Sequence, residues 1–382
     1  MTESIAILGS TGSIGRQTLD VADQLGLRVA ALTANRDAAR MEQQCRKYRP
    51  KLAVMMQEEA AKELKVRLSD INIRVASGLE GLTEAATAAE ADTVVTAVTG
   101  MIGLRPTLAA IREKKKIALA NKETLVCAGE LVMAAAKQSG AEIVPVDSEH
   151  SAVYQCLMGC RDRTQIRRLI LTCSGGPFFG MSREELAKVT RRDALRHPTW
   201  TMGEKITVDC ATLMNKGLEI IEAMRLYSLP LSQVEAVIHR QSVIHSLVEF
   251  TDGAVLAQLG TPDMRLPIRF AMTCPERAKL SQQPFDLLSC PELTFSKLDE
   301  KTFECLALAK QAAQTGGTAC TVLNAANEEA VSLFLRDKIG FYDISEAVAQ
   351  ALTLPVKAAP DLEQILCADA QARELVKSKF VR

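Results

Sequence analysis

No CxxC pair occurs among the eleven cysteines of this 382-residue chain, and their spacing follows no ladder. That argues against a cysteine-based zinc site and against a disulfide framework, and it fits thiols kept reduced in a cytosol. Neither sign of charge is in excess: Lys plus Arg and Asp plus Glu each number 46, so the formal net charge is zero. No global field then favours nucleic acid or an anionic membrane, and any anion site must be local. No apolar run of about eighteen residues exists, so no membrane-spanning helix is expected. The first strand-like run begins at Ser4, which leaves no room ahead of it for a targeting segment. Internal repeats and low-complexity segments are also lacking. The expectation is a cytoplasmic globular protein with no nucleic-acid or membrane partner, long enough for two or three domains.

What is present is an alternation. "SIAILG", "LRVAALT", "KLAVM", "DTVVTAV", "KIALA" and "EIVPV" are short, apolar and often β-branched, with helix-like runs such as "GRQTLDVADQLG" between them. Strands alternating with helices predict an α/β fold with a Rossmann-like parallel sheet over residues 1–150. The lysines at 114–116 read as a solvated helix end. From 151 to 275 the strands crowd together, and Asp252-Gly253 gives a two-residue hairpin signal, so a central α+β domain is expected. Residues 276–300 read as a proline-containing linker, and 301–382 as a C-terminal helical domain.

"GSTGSIG", Gly9 to Gly15, follows the first strand and opens a helix. Glycines let a backbone approach a pyrophosphate, and free N–H groups at a helix start bind anions. A dinucleotide site is the functional reading and a tight structural turn the plain one. The second strand ends in "TANRD" rather than in the acid that takes a ribose diol. Arg36 is placed to pair a 2′-phosphate, with Asp37 adjacent.

Two further stretches carry acids. "IVPVDSE" ends in Asp147, Ser148 and Glu149; on an extended chain Asp147 and Glu149 share a face and repel unless compensated. "DCATLMNKGLEIIEAMRLY", Asp209 to Tyr227, reads as one amphipathic helix with Asn215, Lys216 and Glu219 on a common face. An exposed ion pair is the plain reading of Lys216 and Glu219; a phosphate-binding helix start is the other. "LTCSGGPF" is another strand ending in a small-residue turn, and "RHPTWTMGEK" holds the only tryptophan, Trp200. His150, His239 and His245 read as packing residues.

Taken together, "GSTGSIG", "LANKETLV", "PVDSEH", "LTCSGGPF", "HPTWTMG", "ATLMNKGLE", "HRQSVIHSLVEF", "LAQLGTPDMR" and "LNAANE" resemble the 1-deoxy-D-xylulose 5-phosphate reductoisomerase family in order and across the whole chain. The resemblance implies a homodimeric three-domain enzyme of the non-mevalonate isoprenoid route that uses NADPH and a divalent cation. It implies Asp147, Glu149 and Glu219 as ligands of Mg²⁺, Mn²⁺ or Co²⁺. Thr11, Gly12, Ser13, Ile14, Asn35, Arg36, Asn121, Glu123 and Gly203 would bind NADPH. Lys122 and Ser148 would hold the hydroxyls of a phosphosugar. Ser174, His197, Cys210, Asn215 and Lys216 would surround its phosphate, and Trp200 would cover it from a flexible loop near 196–205.

The chain departs from the family's pattern at two places. Cys210 replaces a usual serine, and a thiol is the weaker donor. Asn35-Arg36-Asp37 replaces Gly-x-Asn, which puts an acid near the expected 2′-phosphate. The alternatives are an NADP-binding sensor without catalysis, for which three carboxylates have no use, and a metal-free dehydrogenase of the semialdehyde type, which would need a catalytic cysteine or histidine that does not stand out.

Overall fold

The computed structural model describes residues 2–200, 202–279, 283–290 and 292–380. Thr201 in the 196–205 segment, 280–282 and Pro291 in the 276–300 segment, and the last two residues of the C-terminal segment lie outside the described residues. The chain forms two compact units. One comprises Met1–Thr124, Val132–Tyr154 and Asp263–Pro284; the other comprises Leu125–Leu131, Gln155–Pro262 and Phe285–Arg382.

The first unit is built on a fully parallel sheet of β1 (Ser4–Leu8), β2 (Arg28–Ala34), β3 (Leu52–Met55), β4 (Arg74–Ser77), β5 (Thr93–Thr96), β6 (Lys116–Leu119) and β7 (Ile143–Pro145). Their order is β4-β3-β2-β1-β5-β6-β7. Helical crossovers cover both faces, which is why β1, β3 and β5 are buried along their whole length. Ile5, Ile7, Leu32, Val95 and Val144 pack with Leu19, Val21, Met41 and Leu64 in one core. The strand order reverses between β1 and β5, the place where doubly wound sheets bind nucleotides.

Three details of this unit differ from the sequence reading. β4 was not anticipated: it is a short edge strand, only half-buried, so its apolar pattern is weak. The lysines at 114–116 are not simply a solvated helix end. Lys115 Nζ donates to the carbonyls of Ala88 and Ala91 at 2.9 and 2.7 Å, and Lys116 lies in β6 with Nζ 3.1 Å from the Cys274 carbonyl. The helix Arg265–Thr273, which chain order groups with the central region, gives Ile268, Phe270, Ala271 and Met272 to the first unit's core. An apolar helix face shows that a core exists, not which one takes it up.

The second unit contains β8 (Ile166–Cys173), β9 (Val234–Ile238), β10 (Ile244–Phe250) and β11 (Val255–Leu259) in the order β11-β10-β8-β9. β8 and β9 are parallel; the other pairings are antiparallel. The β10–β11 turn has three residues, not two: Phe250 N donates to Ala254 O at 2.8 Å, and Thr251, Asp252 and Gly253 lie between them. Part of the expected linker joins this sheet. Ser296 bridges to Ile238, and Phe295 stacks on His239 with ring centres 5.0 Å apart.

Helices Glu304–Thr315, Ala319–Leu335, Phe341–Ala351 and Leu362–Phe380 form the helical C-terminal region. Gly217 lets the helix Met214–Tyr227 approach it closely. A Cβ there would lie 2.3 Å from Ala309 Cβ.

Candidate active site

The glycine turn separates into structural and spare positions. Gly9 has φ +93°, and a Cβ there would lie 2.6 Å from Ala97 O. A Cβ on Gly15 would lie 2.2 Å from Gly9 O. The fold itself therefore demands both. Gly12 is different: its φ is −73° and the nearest atom to an added Cβ is 3.4 Å away. It stands at the N-cap of the helix Ser13–Leu25, where no side chain caps the first turn. The first amides of a helix have no partner within it, so this turn leaves donors and open space at an exposed glycine. Thr11, Ser13 and Ile14 flank it, half-buried.

Past β2, Asn35 and Arg36 are exposed. Asp37 is occupied as the N-cap of the helix Ala38–Tyr48, with Oδ1 accepting from Arg40 N at 3.0 Å.

The acids of "PVDSE" are arranged differently from the extended-chain reading. β7 stops at Pro145, and the helix Ser148–Cys156 starts at once. Asp147 caps it: Oδ1 accepts from Glu149 N, His150 N and His150 Nδ1 at 3.2, 3.4 and 2.8 Å. Strand alternation therefore does not relate Asp147 to Glu149, because an Asp after a strand starts a helix as readily as it prolongs the strand. Lys122 Nζ lies 3.1 Å from Asp147 Oδ2, and both side chains are about nine-tenths buried. The lysine supplies the compensation that the carboxylate needs. Ser148 Oγ donates to Glu149 Oε2 at 2.5 Å.

Asn121 spends its amide on structure. Nδ2 donates to Val98 O, Gly100 O and Glu123 Oε2 at 3.0, 3.1 and 2.8 Å. Asn121 and Glu123 are both buried at the C-terminal end of β6.

In the second unit the predicted single helix is two, Glu204–Ala211 and Met214–Tyr227. Leu213 adopts φ +60° between them, which breaks the run and points a fresh helix start at Met214. The later helix is buried on nearly every side, so a solvent-exposed ion pair does not describe it. Lys216 and Glu219 are 2% and 1% exposed and pair with each other. Lys216 Nζ also donates to Thr172 O of β8 at 2.5 Å, and Asn215 Nδ2 donates to Glu219. Burying such a pair is tolerated only when its remaining hydrogen-bonding capacity is met, and Thr172 and Asn215 supply part of that here. Asp209 is likewise buried and held by Lys205 Nζ and Asn327 Nδ2, each at 2.8 Å, which gives the "LNAANE" asparagine a structural role.

Around the turn after β8, Gly175 and Gly176 have φ +77° and +71°. A Cβ on Gly176 would lie 2.5 Å from Cys210 O, so this turn packs directly on the end of the helix that carries Cys210. Ser174 Oγ lies 3.1 Å from His197 Nε2. His197 Nδ1 accepts from Thr199 N and Trp200 N at 3.2 and 2.9 Å. Nδ1 is thus the acceptor, and in the neutral ring the proton sits on Nε2, aimed at Ser174. Burial and then the charge of Arg240 pull the His197 pKa down from 6.5 to about 4, so at neutral pH it is a neutral donor. Trp200 is half-buried, while Gly203 caps Glu204–Ala211 with open space where a Cβ would stand.

Arg240 was missed by sequence reasoning. Its Nη1 donates to Ser174 O and Gly176 O at 2.8 and 3.0 Å, clamping the turn. The usable signal was an arginine two residues past β9, the parallel neighbour of the strand that ends in the turn.

Comparison with known proteins places this geometry in context. The sequence pattern of the family described as 1-deoxy-D-xylulose 5-phosphate reductoisomerase matches residues 5–129, and its C-terminal domain patterns match 143–227 and 259–375. The 1-deoxy-D-xylulose 5-phosphate reductoisomerase of Ruminiclostridium cellulolyticum is 50% identical over 382 residues, covering 100% of both chains. The Zymomonas mobilis reductoisomerase, solved in complex with NADPH, superposes with a TM-score of 0.92 at 41% identity, covering 100% of both chains. A DOX-P reductoisomerase solved with NADPH, fosmidomycin and magnesium gives 0.94 at 42% identity, over 99% of this chain and 98% of that one.

Proposed function

This chain belongs to the 1-deoxy-D-xylulose 5-phosphate reductoisomerase family, and from that premise we propose that it rearranges and reduces 1-deoxy-D-xylulose 5-phosphate to 2-C-methyl-D-erythritol 4-phosphate, using NADPH and a divalent cation, in the non-mevalonate isoprenoid pathway. The observation that carries the reading is the full-length match to enzymes of this name, one of them crystallised with both NADPH and magnesium.

The site residues are assigned as follows. Asp147, Glu149 and Glu219 hold the cation. All offer carboxylate oxygen, which suits Mg²⁺, Mn²⁺ or Co²⁺. What supports the fit is the donor set itself: all three are carboxylates, and two of them already sit beside a lysine cation, Asp147 at Lys122 and Glu219 at Lys216. When bound, the cation supplies Lewis acidity at the substrate's carbonyl and hydroxyl oxygens, and NADPH supplies the hydride.

The remaining roles belong to the chain's own side chains. Thr11, Gly12, Ser13 and Ile14 line the pyrophosphate, Arg36 with Asn35 the 2′-phosphate, and Glu123 with Asn121 and Gly203 the nicotinamide half. Lys122 and Ser148 position the sugar hydroxyls. Ser174, Asn215, Lys216, His197 and Cys210 bind the phosphate, His197 as a neutral Nε2–H donor rather than as a cation. Trp200, on the loop near 196–205, covers the substrate and excludes water.

The three-part organisation at 1–150, 151–275 and 301–382, with a linker at 276–300, is proposed for function only, since Arg265–Thr273 packs in the first unit and Ser296 pairs with the second sheet. We further assign a cytoplasmic homodimer. Eleven cysteines outside any disulfide support the compartment, and exposed Val255 and Leu256 on the edge strand β11 support self-association.

The test is NADPH oxidation with 1-deoxy-D-xylulose 5-phosphate, with Mg²⁺ or Mn²⁺ and with chelator. Turnover that requires both substrate and cation is expected. Tight NADPH binding with no turnover under any cation would instead favour a sensor.

A further inference from the structure

In this fold the loop after β2 meets the adenosine end of a dinucleotide. Here that loop holds opposed charges. Arg36 and Asp37 are adjacent and sum to zero, so Arg36 alone gives the loop no net attraction for a 2′-phosphate. The next charged residue, Arg40, restores one positive charge, and its geometry links it to both cofactor-facing turns.

Arg40 Nε lies 3.6 Å from Asp37 Oδ2, and the Asp37 Oδ1 atom accepts from Arg40 N at 3.0 Å. The carboxylate is thereby drawn to its own helix start and toward a guanidinium. Arg40 Nη1 also donates to Thr11 O at 3.4 Å, within the glycine turn after β1. Its Nη2 has no partner among the described residues. An exposed i,i+3 ion pair by itself contributes little. A guanidinium that also reaches the glycine turn touches two loops at once. Arg40 and Arg36 are both exposed, as a ligand-facing pair must be.

We infer that Arg40 is a second reader of the cofactor's 2′-phosphate, acting with Arg36, and that it neutralises Asp37 where an uncompensated acid would repel that group. Planar guanidinium donors suit phosphate oxygens, and two arginines on one phosphate discriminate more sharply than one. This rests on the reading that the chain uses NADPH.

The experiment is fluorescence titration of NADPH and NADH into the full chain without substrate or metal, for wild type, Arg40→Gln and Arg40→Lys, with melting temperatures as a folding control. Loss of a charge-assisted contact weakens binding roughly ten- to a hundredfold. Arg40→Gln should show that loss for NADPH and hold NADH within about twofold, and Arg40→Lys should fall between. Equal weakening of both cofactors would reduce Arg40 to a support for the glycine turn, and an unchanged NADPH affinity would remove it from the site; either overturns the inference. Should Arg40→Gln fail to fold, Arg40→Lys decides by the same NADPH-to-NADH ratio. A wild-type protein that binds both cofactors equally would defeat the NADPH reading itself, which is a separate result.

Discussion

The turn after β1 and the turn after β8 are both rich in small residues, and both are assigned here to phosphate groups, yet they are built in opposite ways. The first is a backbone device. Gly9 and Gly15 are dictated by close approach to Ala97 O and Gly9 O, and the donors on offer are the amides of a helix start. The second is a side-chain device. Ser174 is met by His197 from a loop, its carbonyl is clamped by Arg240 from the end of β9, and Lys216 crosses from a helix to the Thr172 carbonyl of β8. A backbone cradle is local, so seven consecutive residues announce it. A side-chain cradle draws on segments up to 66 residues apart, and no window of sequence contains it.

The sharpest way to break this contrast is to remove the buried cation. Lys216→Met leaves the Glu219 charge unpaired inside the protein, which costs about 3–5 kcal/mol. Denaturant unfolding should show that loss, and adding Glu219→Gln should recover much of it. Glu219→Gln alone strands the Lys216 cation in the same buried place, so it too should lose stability while still folding, bind NADPH normally and turn over very little. Normal turnover by this variant in chelator-treated buffer would remove Glu219 from the metal site.

The backbone cradle makes the opposite prediction, position by position. Gly15→Ala forces a Cβ against Gly9 O and should destabilise by about 1–3 kcal/mol or more. Gly12→Ala meets no such contact, so the melting temperature should hold while NADPH affinity drops. If Gly12→Ala binds NADPH unchanged, no pyrophosphate approaches that turn.

A smaller effect follows from His197. Its folded-state pKa of about 4 lies below the ordinary 6.5, so the unfolded chain takes up the proton first. The stability contributed by the neutral ring is complete above 6.5 and is lost as pH falls toward 4. Ligand-free wild type should therefore lose melting temperature across that window more steeply than His197→Gln. Parallel curves would show that the ring is not held neutral.

The smallest change is expected at Cys210. Cys210→Ser exchanges a weak donor for a better one at the same place. Stability should stay nearly constant, and the apparent KM should hold or fall. A marked rise would mean that the site is built around the thiol.

Much of the fold was legible because its signals are periodic and local. Six of the seven strands of the parallel sheet stand out as apolar runs, and only the half-buried edge strand β4 escaped. The candidate site residues were legible as types, since Lys122, Asp147, Lys216 and Glu219 all sit in quoted motifs. Their surroundings were not. Asp147 and Glu149 read as one face of a strand, but Asp147 is a helix cap. The plain reading of Lys216 and Glu219, an exposed pair, does not hold, because both are buried. Arg240 and Arg40 drew no notice, because an arginine near a strand end or in a first helical turn is ordinary until its partner carbonyl is known.

The sequence by itself determined the order of strands and helices, the glycine turn and the identity of the acids, because backbone geometry and hydrophobic period act over a few residues. Only the tertiary structure decided which of those charges are buried and what neutralises them. The helix break at Leu213 sets where Lys216 points, and the Thr172 carbonyl that receives it is 44 residues away. The cost of a buried charge depends on the polar atoms around it, and those come from distant parts of the chain.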